Sequence, residues 1–293
     1  MKHGFVTINV ANLHRKPDTL SEVVTQARMG EGFRVLEAEA GWLQVSLDYD
    51  HYEGYVQTAQ TREGRWPVQK TSAASSTVDN LAGNKTGAET DGVPAVATVR
   101  NLFANIYAGP KVQRPLLTVL PMGVRLPVLR RGEGAEESWL AVELADGREG
   151  FVQEADLSIG GREWAWSSPA QLRQSMVRTA KRFLGIPYRW GGTSSFGLDC
   201  SGLVQHVYAL HGLILPRDAN QQAESDKTRR ITREELIPGD LIFFGKYSHV
   251  GMAISHHEFI HATTHLDPVV QISLVDDPHW VEKADEFRRY ILG

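Results

Sequence analysis

The segment DLIFFGKYSHVGMAISHHEFIHATT, Asp240–Thr264, carries the reading of the fold. It holds three short apolar runs, Leu241–Phe244, His249–Ser255 and Glu258–Thr263, and a fourth, Val269–Ser273, follows. Runs of this length broken by turn residues read as strands. Side chains alternate along a strand, so Val250, Met252 and Ile254 face the core while His249, Gly251 and Ala253 face the other way. That second face is small enough for a helix to approach closely. Upstream the period changes. Leu172, Met176, Val177, Ala180, Phe183 and Leu184 recur at helical spacing behind Ser167-Ser168-Pro169, and a second helix fits Asp199–His211 with Leu203, Val204, Val207 and Tyr208 on its apolar face. Helices followed by a run of strands indicate an α+β domain, placed at 163–293.

The first half of the chain repeats itself. ANLHRKP (Ala11–Pro17) matches ANIYAGP (Ala104–Pro110), and Met29-Gly30 matches Met122-Gly123 at the same offset. GWLQVSL (Gly41–Leu47) resembles SWLAVEL (Ser138–Leu144), and GYVQ (Gly54–Gln57) resembles GFVQ (Gly150–Gln153). Both copies alternate polar and apolar residues over short runs, as small antiparallel barrels do. The order of these signals resembles bacterial SH3-like modules, which implies barrels at 1–68 and 93–160. Gln69–Gly92, rich in Ser, Ala, Thr, Asn and Gly, reads as a flexible linker between them.

At 293 residues the chain is long enough for two or three domains, and 42% hydrophobic with 23% charged residues is ordinary for a folded protein. The net charge of −4 offers no basic excess for a phosphate backbone, so nucleic acid is not expected as a partner. No apolar stretch has the length of a signal sequence or a bilayer span, so no membrane partner is expected. With Met1 as the start, the protein is expected in the cytoplasm.

The single cysteine, Cys200, allows neither an internal disulfide nor a multi-cysteine metal site. It opens the second helix, where unpaired N–H groups and the helix dipole favour a thiolate, so its pKa is expected below the usual 8.5 or so. A buried, inert thiol is the other reading of that position. His249 and His261 lie on consecutive strands and come side by side if a hairpin turns near His256-His257. One imidazole then takes the thiol proton and the other orients it. Each alone also reads as a structural histidine. HEFIH (His257–His261) spells the zinc-peptidase pattern, which needs its histidines one turn apart on a helix. Here the segment reads as a strand, where the two are about 13 Å apart, so no metal and no cofactor is expected.

Six blocks occur in order: PYRWGG (Pro187–Gly192), LDCSGLV (Leu198–Val204), LPRDANQQ (Leu215–Gln222), GDLIFF (Gly239–Phe244), HVGMAI (His249–Ile254) and FIHA (Phe259–Ala262). This array resembles the NlpC-type cysteine peptidases, which cut cell-wall peptides with a papain-like core. The resemblance implies Cys200 as nucleophile, His249 as base, His261 as its orienting partner, and Tyr188 with the Cys200 N–H as oxyanion donors. With two SH3-like modules in front, the chain is similar to the γ-D-glutamyl-diamino-acid dipeptidyl-peptidases of murein recycling. In that group the first module closes one end of the cleft around a free N-terminal L-Ala. The resemblance then implies substrate contacts from Asp199, Ser201, Tyr52 and Glu22; a serine found after the Arg-Asp pair in some relatives is Ala219 here. Asp199 also reads as a helix cap, Tyr52 as barrel surface and Asp218 as a loop anchor or substrate contact. RRITREE (Arg229–Glu235) reads as a solvated face.

The expected activity is hydrolysis of the bond between γ-D-Glu and diaminopimelate or L-Lys in a murein peptide, releasing L-Ala-γ-D-Glu. Two alternatives stay open: an exported wall endopeptidase with wall-binding modules, and a binding protein with an inactive peptidase domain. Oligomeric state and the choice between the two diamino acids are not legible.

Overall fold

A computed structural model of the chain describes residues 2–70, 96–160 and 162–292. It divides into two compact units, one of Met1–Glu22 with Ala27–Ala165 and one of Val23–Gln26 with Trp166–Gly293.

Two seven-stranded barrels make up the N-terminal part of the chain, and all of their residues but Val23–Gln26 belong to the first unit. One is built from β1 (His3–Val6), β2 (Val10–His14), β3 (Val23–Arg28), β4 (Gly32–Glu39), β5 (Trp42–Leu47), β6 (Glu53–Gln57) and β7 (Thr61–Glu63). The other is built from β8 (Val96–Val99), β9 (Phe103–Tyr107), β10 (Leu116–Pro121), β11 (Arg125–Arg131), β12 (Trp139–Glu143), β13 (Glu149–Gln153) and β14 (Leu157–Ile159). The strand orders β3-β2-β6-β5-β4-β1-β7 and β10-β9-β13-β12-β11-β8-β14 are the same order twice, so the sequence repeat is a repeat of topology. The paired Met-Gly steps have a physical cause. Gly30 and Gly123 turn into β4 and β11 with φ of 80° and 90°, a conformation that side-chain-bearing residues resist. A Cβ on Gly30 would also lie 2.6 Å from the Trp66 ring. Phe5, Met29, Trp66 and Val68 join the core residues of the second barrel in one buried cluster. From Thr71 onward, the expected linker lies outside the described residues, while Gln69 and Lys70 close a short turn, Pro67–Lys70.

The second unit is α+β. Its elements are α1 (Pro169–Lys181), β15 (Thr193–Ser194), β16 (Gly197–Leu198), α2 (Cys200–Leu210), α3 (Ala219–Glu224), β17 (Thr228–Ile231), β18 (Leu241–Phe244), β19 (His249–Ala253), β20 (Glu258–Thr263), β21 (Val269–Leu274), α4 (Pro278–Val281) and β22 (Ala284–Tyr290). α1 begins where Ser168 accepts the Gln171 N–H at 3.3 Å, with Pro169 as its first residue. The main sheet runs β17-β22-β18-β19-β20-β21.

Two strands depart from the expectation. RRITREE is largely exposed, as expected, but its first residues belong to β17, and β22, ADEFRRY, lies between β17 and β18. Both are dense in charge, which masks the strand pattern. The structure satisfies that charge inside the sheet: Arg230 and Arg288 pair with the nearly buried Glu286, and Arg289 and Arg173 pair with the fully buried Asp240. The small face of β19 also has a different cover from a close-lying long helix. A Cβ on Gly251 would lie 2.5 Å from the Phe259 ring, and Ala253 shares a core cluster with Phe259 and Trp280 of the four-residue α4.

Candidate active site

Cys200 is placed by the cap of its own helix. Asp199 leaves β16 in extended backbone, with φ −90° and ψ 178°, and its carboxylate accepts the Gly202 N–H at 2.7 Å. Gly202 lets the helix start against neighbouring backbone, since a Cβ there would lie 2.1 Å from the Gly192 carbonyl oxygen. The backbone N–H groups of Ser201 and Val250 face the sulfur. Because Val250 follows His249, this contact sets the start of β19 beside the nucleophile. The expected depression of the thiol pKa is not what the site produces. Burial of Cys200, reinforced by the Asp199 carboxylate, pushes the thiol up to about 12, against the pull of the two N–H groups and of Arg217.

β19 and β20 form the hairpin that brings the two histidines together. His249 Nε2 lies 2.8 Å from His261 Nδ1, and His261 Nε2 lies 3.0 Å from Ser273 Oγ on β21. Burial lowers both imidazoles, His249 to about 4 with help from the Lys283 charge, so both are neutral near pH 7. Two neutral rings sharing one hydrogen bond allow two tautomer sets. Only one leaves His249 able to accept a proton at Nδ1: His249 Nε2–H donates to His261 Nδ1, and His261 Nε2–H donates to the Ser273 hydroxyl. Trp280 fixes the pair. Its ring stacks on His249 at 5.4 Å and 22° and meets His261 edge-on at 4.7 Å and 82°. HEFIH accordingly lies on a turn and a strand, and its last histidine is engaged with His249 and Ser273.

Tyr188 pairs with Leu198 in a parallel bridge, and its N–H donates to the Pro268 carbonyl at 2.7 Å. Burial, then the nearby Cys200 and Asp199, raises its phenol well above the ordinary value of 10, so the hydroxyl keeps its proton and serves as a donor.

Asp199 and Ser201 are committed within the protein. Arg217, 1% exposed, forks onto Asp199 at 2.6 Å and 3.1 Å, and also donates to Ser201 Oγ at 2.9 Å and Thr25 Oγ1 at 2.9 Å. The same carboxylate accepts the Gly191 and Gly202 N–H groups at 2.9 Å and 2.7 Å, and the Ser201 hydroxyl at 3.3 Å. Asp199 thus caps α2 and neutralises Arg217, and the ammonium-pairing role that the resemblance implies for it belongs to the proposal below. Asp218, half-buried, stands at the N-terminus of α3, where its N–H donates to Gln221 Oε1 at 3.2 Å. In the first unit, Glu22 precedes β3 and pairs with Arg15 at 2.5 Å, and Tyr52 is half-buried in the β5–β6 turn with its N–H on Asp50.

Three site residues had no role in the sequence reading: Arg217, Ser273 and Trp280. Arg217 stood inside LPRD but needed a partner eighteen residues upstream. Ser273 was accessible in principle, since it lies opposite Phe259 in the β20–β21 register and two residues diagonal from His261. Trp280 carried no local signal.

The NlpC/P60 family matches residues 185–289, and the bacterial dipeptidyl-peptidase SH3 domain matches residues 13–60. Dipeptidyl-peptidase 6 of Lysinibacillus sphaericus is 30% identical over 284 residues, covering 97% of this chain and 95% of that protein. A gamma-D-glutamyl-L-lysine dipeptidyl-peptidase of Bacillus cereus is 28% identical over 279 residues, covering 92% and 76%. The crystal structure of an NlpC/P60 family protein from Bacillus cereus aligns over 98% of this chain and 99% of that one, with a TM-score of 0.77 at 23% identity, a likeness of fold.

Proposed function

Because the chain belongs to the NlpC/P60 family of cysteine peptidases with an N-terminal bacterial dipeptidyl-peptidase SH3 domain, we propose that it releases L-Ala-γ-D-Glu from short murein peptides. The cut falls before L-Lys or diaminopimelate. The observation that carries the chemistry is the 2.8 Å His249–His261 contact beside Cys200. The activity for which the Bacillus cereus relative is named supports this choice of substrate.

In the resting state the thiol is protonated and the imidazole neutral, in line with a thiol pushed up and a histidine pushed down. His249 Nδ1 takes the Cys200 proton as the sulfur attacks the γ-carbonyl of D-Glu. The Tyr188 hydroxyl and the Cys200 N–H stabilise the oxyanion. Protonated His249, held by His261, then gives its proton to the leaving amine and leaves a thioester. Water deprotonated by the same imidazole attacks the thioester, and the thiol reforms as the dipeptide departs.

The free amine of the substrate loses hydration in any cleft and needs a carboxylate. The resemblance gives this role to Asp199, with the Ser201 hydroxyl beside it, and Asp218, next in chain to Arg217, is a further carboxylate for the same end. The roles that resemblance gives Glu22 and Tyr52 belong to the same proposal. Incubation with L-Ala-γ-D-Glu-L-Lys, its diaminopimelate counterpart and their N-acetylated forms tests it. Mass analysis should find L-Ala-γ-D-Glu from the free-amine peptides and far less product from the acetylated ones. Weakening of that preference in Asp218→Asn, Glu22→Ala and Tyr52→Ala would place each residue in amine recognition. Equal cleavage of all forms would make the protein a general murein endopeptidase. Cell fractionation tests the cytoplasmic setting.

A further inference from the structure

A second group of basic side chains shares the indole that holds the catalytic histidines. His265, in the loop after β20, stacks on His279 of α4 with ring centroids 3.6 Å apart and planes 13° from parallel. Both rings meet Trp280 edge-on, at 5.5 Å and 4.7 Å. Lys283 Nζ lies 2.8 Å from His279 Nε2 and 5.9 Å from the Trp280 ring. The loop is pinned: Gln271 Nε2 donates to the His265 carbonyl at 2.6 Å, and the His265 N–H donates to Thr263 Oγ1 at 3.1 Å. The Asp277 carboxylate is occupied by the His279 N–H at 2.9 Å. Lys283 is exposed, and among the described residues it forms no ion pair with Asp or Glu.

Three basic groups therefore converge on one half-exposed spot, where the nearest carboxylate, Asp277, is engaged by the His279 N–H. Stacking two imidazoles face to face brings their positive charge together on protonation, and Lys283 adds to that field. Burial, then the charges of His265 and Lys283, lowers His279 against the pull of Asp277 and Glu282. A carboxylate placed there would relieve the repulsion and replace hydration.

The chemistry gives the direction. His249 must protonate the leaving amine, so it stands on the leaving-group side of the scissile carbonyl. Trp280 stacks on this imidazole, and the basic cluster rings the same indole. The loop is also tied to Tyr188, whose N–H donates to the Pro268 carbonyl. We infer that His265, His279 and Lys283 form a carboxylate subsite for the amino acid on the leaving side of the cleaved bond. This rests on the proposed substrate: its leaving residue, L-Lys or diaminopimelate, carries at least one free carboxylate.

The test compares kcat/KM for L-Ala-γ-D-Glu-L-Lys and for the same tripeptide as its C-terminal amide. Wild type should prefer the acid by about fivefold, the upper range for a solvent-exposed charge pair. The preference should shrink at high salt, and in Lys283→Gln and His265→Asn the acid-to-amide ratio should approach one. Because the ratio is taken within one protein, partial loss of folded enzyme does not alter it. Equal cleavage of acid and amide by wild type would overturn the subsite while leaving the peptidase reading intact. An undiminished preference in both variants would overturn it as well. Cleavage of neither peptide would remove the substrate reading and the subsite with it.

Discussion

Replacing Asp199 by Asn leaves Arg217 buried without its counter-ion. The aspartate presents two oxygens, one to Gly202 N–H and Arg217 Nη1, the other to Gly191 N–H and Arg217 Nη2. Asn keeps one acceptor and turns the other position into a donor facing two donors. Arg217 is 1% exposed, and its other named partners, the Ser201 and Thr25 hydroxyls, are uncharged. Removing one partner of such a pair costs about 3–5 kcal/mol. At roughly 3–4 °C per kcal/mol for a unit of this size, the melting temperature should fall by about 10–20 °C. Arg217→Met should cost less, because the carboxylate keeps Gly191, Gly202 and Ser201 as donors. The double variant Asp199→Asn/Arg217→Met should then recover part of the loss, a coupling readable as a double-mutant cycle. The nearby thiol reports independently. Asp199 raises the Cys200 pKa, so Asp199→Asn should shift iodoacetamide labelling to lower pH. An Asn variant that melts with wild type and labels with an unchanged pH profile would refute the assignment of Asp199 to Arg217.

Ser273→Ala should leave the fold intact and cut kcat by about two- to tenfold, the range of one neutral hydrogen bond, because the hydroxyl no longer favours the productive His261 tautomer. An unchanged kcat in steady-state kinetics would show that the relay ends at His261. His211 and His249 are both pushed down to about 4 by burial, so the unfolded chain binds more protons than the folded one below pH 6.5. Stability should be level above that pH and fall as pH drops towards 4, by ~3 kcal/mol for each histidine. His211→Gln should remove its share of the slope in denaturant titrations, and a slope unaltered by that change would contradict the burial argument. Gly202→Ala drives a Cβ onto the Gly192 carbonyl oxygen, so it should abolish turnover and lower the melting temperature; a wild-type-like enzyme would show that the start of α2 can shift freely.

The sequence carried those parts of the fold that local pattern determines. Met-Gly steps mark positive-φ turns at Gly30 and Gly123, and the second Gly of the repeat falls at the same place in the same strand order. The apolar runs at Leu241–Phe244 and Glu258–Thr263 are strands with those bounds, and the hairpin between His249 and His261 follows from alternation and spacing. What escaped depends on long-range pairing. β22 has no apolar run to mark it, since its charge is matched only by pairing, with Arg288 and Arg230 on Glu286. Asp199 reads as the cap it is, but its pairing with Arg217, which arrives from another loop, has no local signal. The thiol pKa was misjudged for a related reason. A helix terminus is local and visible in sequence, whereas the burial that outweighs it comes from the packed domain.

The central claim is that Cys200 carries the dipeptide through a thioester. Wild-type protein mixed with L-Ala-γ-D-Glu-L-Lys, quenched in acid at short times and digested, should yield the Cys200 peptide bearing an L-Ala-γ-D-Glu acyl group. The adduct should be absent in Cys200→Ala, which should also release no dipeptide. Continued release of L-Ala-γ-D-Glu by Cys200→Ala would contradict the account.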